Sequence, residues 1–208
     1  MKKSFGLVFL IVVLGLLPIS AGVNKVSIAG LYSMSGGKES VTMLGITSEA
    51  ETKSSGIGLK VQGTSFFSPA SDIGISYKIS AVKTLSASAD SVSIDTADIP
   101  LIWGFGVGAA YQIPTSADMF VEVGAGVDYL VQSKTSGGVT STVNLFAIAA
   151  NAEINYAINN NLFFDAGIAL NYPLGGSVSA SGGGTTISGD FTSSVFTFSP
   201  YIGVSIAY

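Results

Sequence analysis

The run Leu101-Ile-Trp-Gly-Phe-Gly-Val-Gly-Ala-Ala-Tyr-Gln112 alternates with period two. Its odd positions are Leu101, Trp103, Phe105, Val107, Ala109 and Tyr111, and its even positions are Ile102, Gly104, Gly106, Gly108, Ala110 and Gln112. Successive side chains of a strand point to opposite faces, so the segment predicts a strand with one bulky apolar face and one nearly bare face. The next segment sets Val121, Val123, Ala125, Val127 and Tyr129 against Glu122, Gly124, Gly126, Asp128 and Leu130. Another sets Phe146, Ile148, Ile154 and Tyr156 against Ala147, Asn151, Glu153 and Asn155. Phe164, Ile168 and Tyr172 then face away from Phe163, Asp165, Gly167 and Asn171. The last segment places Phe198, Ile202, Val204, Ile206 and Tyr208 opposite Tyr201, Gly203 and Ser205.

Three earlier segments carry the same alternation more weakly. They set Ile73 to Ile79 against Lys78, Leu59 to Gly63 against Lys60, and Val26 to Tyr32 against Lys25 and Ser27. Eight strands result, and Val41 to Thr47 reads as an extension within the first long connection. Ser68-Pro-Ala-Ser71, Ile113-Pro-Thr-Ser116 and Asn159-Asn-Asn161 have the chemistry of tight turns. Ser/Thr/Gly-rich stretches, 35–55, 84–97, 133–141 and 175–194, read as long loops. Long and short connections alternate, which is the pattern of an antiparallel up-and-down transmembrane barrel with both termini on the short-turn side.

The faces decide against a water-soluble barrel. Glu122, Asp128, Glu153 and Asp165 all share the Gly/Ala face, while the bulky face of the five best strands carries no charge. Carboxylates enclosed in a soluble core would need partners, whereas facing a polar lumen they are ordinary. Trp103, Tyr111, Tyr129, Tyr156, Tyr172 and Phe198 fall near strand ends, where aromatic girdles would lie. Met1-Lys-Lys, the apolar run Phe5 to Leu17 and the small residues near Ala21-Gly22 read as a cleavable secretory signal over 1–22, ahead of a barrel domain over 23–208.

The chain has 208 residues, with 26 Gly, 11% charged residues, and no Cys, His or Arg. Nine Lys against thirteen acids give a net charge of −4, which argues against nucleic acid as a partner. Without Cys or His, thiolate and imidazole metal sites are excluded, and neither a metal nor a cofactor is expected. Gly104-Phe-Gly-Val-Gly-Ala109 matches a loose dinucleotide fingerprint, but its glycines fall at period two in a strand and no helix follows.

These segments resemble the small eight-stranded bacterial outer-membrane barrels, the "outer membrane protein beta-barrel domain" class. That class includes the OmpA membrane domain and the OmpX, OmpW-like and opacity-type barrels. Asp98 to Tyr111 followed by Val123 to Tyr129 looks like a central hairpin of the class. Tyr201-Ile-Gly-Val-Ser-Ile-Ala-Tyr208 looks like its C-terminal assembly signal. The resemblance implies residence in the outer membrane among its lipids, and recognition of Gly203, Ile206 and Tyr208 by the barrel-insertion machinery. A soluble wall-binding domain such as follows the barrel in OmpA is not expected after Tyr208.

Inside the barrel, Lys60 and Lys78 face Glu122, Asp128, Glu153 and Asp165, and a bore-plugging ion network is expected from them. Lys60, Lys78, Glu122, Glu153 and Asp165 count to similar depths from the short-turn side. The interior otherwise reads as small and polar, with Phe120, Leu130 and Phe163 as its apolar members. The leading functional expectation is a non-enzymatic structural or surface-interaction protein whose long loops meet an extracellular ligand. The alternative is a narrow OmpW-like channel for small or hydrophobic solutes. Catalysis ranks last, because a Ser nucleophile would have no His as base.

Overall fold

In the computed structural model, which describes residues 24–68 and 71–208, an extended β-sheet closes on itself. The expected signal over 1–22, and part of the turn at Ser68–Ser71, lie outside the described residues. The strands are β1 (Asn24–Met43), β2 (Ile46–Phe66), β3 (Ile73–Ala89), β4 (Val92–Ile94), β5 (Ile102–Ser116), β6 (Met119–Ser136), β7 (Val139–Ala157), β8 (Leu162–Gly182), β9 (Thr185–Ser193) and β10 (Phe196–Ala207). Every neighbouring pair is antiparallel, and β1 pairs with β10 from Lys25↔Ala207 to Gly36↔Phe196 to close the ring. β4 and β5 lie along the same side of β3, and β9 and β10 run along both β8 and β1. Ten strands therefore make the eight staves expected of the barrel.

The four long loops expected from composition are not loops. Their residues extend the strands into tall hairpins, each turned by two residues with positive φ: Leu44-Gly45, Asp90-Ser91, Gly137-Gly138 and Gly183-Gly184. Two left-handed residues make the turn whose twist matches that of the flanking strands, and Gly-Gly adopts it without cost. Apart from these turns, only 95–97 and Ser194 lie outside strands within these stretches. At the opposite end, the turn expected at Ile113–Ser116 is strand as well. Pro114 sits at a bulge in β5, and the reversal falls at Ala117-Asp118.

The two faces exchange character partway along each stave. Toward the short turns, the outer face carries Val107, Val127, Ile148, Ile154 and Ile202, all exposed, and the carboxylates lie inside. Beyond Met34, Val131, Phe146 and Phe196 the outer positions become Thr42, Thr47, Ser133, Thr135, Thr140 and Thr142. These hydroxyls meet in cross-strand pairs, among them Thr42–Thr47 at 2.9 Å, Ser133–Thr142 at 3.0 Å and Ser181–Thr186 at 3.0 Å. The inner positions at the same height become Val41, Val143, Leu145, Val178 and Phe191. The molecule is thus an apolar-belted barrel carrying a crown with a polar exterior and an apolar interior.

Inside the belt, backbones approach closely where glycines face one another across β5 and β6. A Cβ on Gly126 would strike the Val107 carbonyl oxygen and lie 2.6 Å from Gly108 Cα, whereas a Cβ on Gly30 meets nothing within 4 Å. Gly126→Val should therefore cost about 1–3 kcal/mol by overpacking. Gly30→Val should be close to neutral. Unfolding midpoints in urea, followed by gel mobility of heated and unheated samples, check the contrast.

Candidate functional site: a plugged bore beneath an apolar cup

Lys25 occupies the second position of β1 with its side chain turned into the bore. Its Nζ lies 2.7 Å from Glu122 Oε2 of β6 and 2.6 Å from Glu153 Oε1 of β7, and it donates to Asn155 Oδ1 at 2.9 Å. Thr64 Oγ1 donates to the other Glu122 oxygen at 2.8 Å. Glu122 and Glu153 are 0% and 1% exposed, so no bulk water screens these charges. Because β1 stands across the ring from the neighbouring pair β6 and β7, this one cation ties opposite parts of the wall together across the bore.

Lys60 of β2 lies 3.9 Å from Glu153 Oε2, donates to Gln62 Oε1 at 2.9 Å, and sits 3.2 Å from the centre of the Tyr201 ring. Asp165 of β8 accepts from Ser27 at 2.9 Å and Ser205 at 2.8 Å, and no ammonium lies within ion-pairing distance among the described residues. Below these groups Phe120 and Phe163 stack edge to face, 5.5 Å between centres. Farther toward the crown, Lys78 Nζ meets Asp128 Oδ2 at 2.8 Å, and Asn171 Nδ2 donates to the same oxygen at 2.8 Å.

The six charged residues singled out in the sequence all line the interior, but they do not form one layer. Lys60, Glu122 and Glu153 belong to the lower tier. Lys78 and Asp128 form a separate pair above it, so the equal depth expected of Lys78 is corrected. Strands in a barrel are tilted and staggered, and counting residues from each turn ignores that stagger. The hub of the lower tier is Lys25, which alternation with Val26 places inside but nothing in the sequence marks as the common partner of Glu122 and Glu153. The expectation of a small, polar interior whose apolar members are Phe120, Leu130 and Phe163 is also corrected. Above the Lys78–Asp128 pair a chamber of about 240 Å³ is walled by Ile102, Leu130, Val143, Leu145, Phe191 and Val195. Ile102 and Leu130 lie on the inner face that the alternation predicts, Phe191 falls within a stretch expected to be a loop, and Val143, Leu145 and Val195 fall outside the expected strands.

Of the aromatic positions, Trp103, Tyr111, Tyr156 and Tyr172 are exposed on the outer face, and Tyr129 and Phe198 are half-buried there. Tyr129 packs on Phe146 and donates its hydroxyl to Asn144 at 2.7 Å. At the C-terminus, Tyr208 exchanges backbone hydrogen bonds with Asn24 at 2.9 and 3.0 Å. A Cβ on Gly203 would collide with the Ile28 carbonyl oxygen and the Ala29 side chain. Ile206 and the Tyr208 side chain point outward and are exposed.

Glu39 stands on the inner wall of the crown, bordering the apolar chamber. Burial raises its carboxyl above the usual 4.5, and a hydrogen bond with Thr52 opposes that only in part. The folded crown therefore holds this proton more tightly than the unfolded chain does. Its contribution to stability is present in full at low pH and is lost as the pH rises through the raised value. Amide protection in residues 39–43 and 189–193 should decline over that interval, and Glu39→Gln should abolish the decline.

Removing Lys25 leaves Glu122 and Glu153 buried without their common counter-charge. Lys25→Met should cost about 3–5 kcal/mol. Adding Glu153→Gln and Glu122→Gln in the same chain should return a large part of that loss in urea unfolding.

No protein-family model matches the sequence, and no curated protein matches it. Among solved structures the chain is similar to Neisserial surface protein A, at 14% identity and TM-score 0.59, covering 89% of this chain and 98% of that one. It is similar to the outer membrane protein OprG from Pseudomonas aeruginosa at 13% identity and TM-score 0.61, covering 91% and 97%. The outer membrane protein AlkL, solved in DMPC lipid bilayers, matches at 16% identity and TM-score 0.57, covering 91% of each chain. The fold is that of the small outer-membrane β-barrels.

Proposed function

We propose that this protein is a non-enzymatic integral barrel of the bacterial outer membrane, closed to through-flow, that works at the cell surface through its crown. The carrying observation is the Lys25–Glu122–Glu153 cluster, which spans the bore at hydrogen-bonding distances while fully buried. An eight-stranded interior is only just wide enough for its own side chains, and here those side chains are locked together.

The exposed aliphatic belt supports residence in lipid, and the hydroxyl-faced crown supports projection into water. With short turns facing the periplasm, the crown lies outside the cell. Ile206 and Tyr208, on the outer face of the closing strand, are the side chains through which the insertion machinery would read the C-terminus. A catalytic role is disfavoured on chemical grounds. The sequence has no histidine or cysteine. Ser27 and Ser205, the serines bonded to Asp165, are buried where no substrate reaches them. The channel alternative would need a continuous path past Lys25.

Planar-bilayer recording tests the reading. The wild-type barrel should give no steady unitary conductance, and Lys25→Ala should give cation-preferring steps, since the carboxylates would then line a loosened bore. Stable steps from the wild type at the level of the variant would refute the closed-bore reading.

A further inference from the structure

The crown has a cavity that the closed barrel does not explain. Its upper chamber, about 240 Å³, opens into a lower one of about 120 Å³, and Ile102, Leu130 and Asn171 border both. The wall above sets Leu130, Val143, Leu145 and Phe191 among polar residues such as Gln132 and Thr197. The floor below is lined by Lys60, Lys78, Asp128 and the hydroxyls of Ser33, Ser80 and Ser199. Aliphatic side chains that face a water-accessible chamber would gain contacts with an apolar body shaped to it.

The floor has spare hydrogen-bonding capacity of one sign. An ammonium has three donors. Lys60 donates one hydrogen bond, to Gln62, and its nearest carboxylate oxygen is 3.9 Å away. Lys78 meets Asp128, whose Oδ2 is already shared with Asn171. Glu39, at the level of the upper chamber, disfavours an anion near the mouth. Polarity along the cup is therefore ordered: one carboxylate high, aliphatic side chains between, and low down two ammonium groups against the single carboxylate of Asp128, which Lys78 and Asn171 already engage.

We propose that the cup is a binding site for a single-chain amphiphile with an anionic end, a fatty carboxylate in chemical class. It enters from outside the cell, lays its tail along Leu130, Val143, Leu145 and Phe191, and sets its head against Lys60 and Lys78. The site is blind, because the Lys25 cluster seals the bore beneath it. The inference rests on the closed, outward-facing barrel proposed above and names the ligand of its crown.

The test uses the full barrel in DMPC nanodiscs with ¹³C-methyl-labelled leucine and valine, and dodecanoate as probe. Saturable methyl shifts are expected at Leu130 and Val143, with none at the outward Leu59 and Val127, which report simple partition into lipid. Lys60→Gln should weaken dodecanoate binding about tenfold, the loss of one charge-assisted hydrogen bond. It should leave dodecanol binding unchanged, and dodecanol should bind the wild type less tightly. Leu145→Asp should abolish the saturable shifts, with Val143→Thr as the milder variant should the first fail to fold. Shifts that rise linearly at Leu130 and Leu59 together overturn the site. Equal affinity for dodecanol and dodecanoate overturns the assignment of the head. Recording in ligand-free bilayers judges the closed bore separately, so a silent barrel that ignores dodecanoate refutes only the ligand.

Discussion

A backbone amide or carbonyl inside hydrocarbon has no water to turn to, and each one left unpaired costs several kcal/mol. Everything else in this molecule follows from the need to give each such group a partner. The pairing of β1 with β10 is what meets that need, since it removes the last free edges of the sheet. Closure then fixes which side chains are enclosed, and enclosure turns an inventory of lysines and carboxylates into a charge-balancing problem. The cluster around Lys25 is the local solution, made possible because the ring brings β1, β6 and β7 within reach of one ammonium group.

The belt was legible in the sequence because hydrocarbon tolerates only one kind of outer face. From Leu101 to Gln112 and in the segments that repeat its pattern, period two and side-chain bulk together specify strand, face and environment. The crown was harder to read. Ser177-Val-Ser-Ala-Ser181 and Thr140-Ser-Thr-Val143 alternate as strictly as the belt, but with small residues and the opposite phase. Composition therefore suggested loops, where the two-residue turns at Gly137-Gly138 and Gly183-Gly184 in fact reverse continuous strands. Glycine pairs that looked like low complexity were turn signals.

The interior was legible only as a set of positions. Alternation placed Lys60, Lys78, Glu122, Asp128, Glu153 and Asp165 on the inner face, but one dimension of sequence carries neither stagger nor azimuth. Pairings such as Lys25 with Glu153, separated by 128 positions, exist only after closure. That is why Lys78 was grouped with the wrong neighbours, and why Asp165 turned out to be held by two hydroxyls.

The height at which the outer face changes from Val131 and Phe146 to Ser133 and Asn144 has a mechanical corollary. Below that line each added residue gains from contact with acyl chains; above it, each would drag a hydroxyl pair into oil. The barrel therefore cannot float upward or downward to suit its surroundings. In a thicker bilayer the adjustment falls on the lipids, which must compress around the protein, so the chain acts as a gauge block that sets the local thickness of its own membrane.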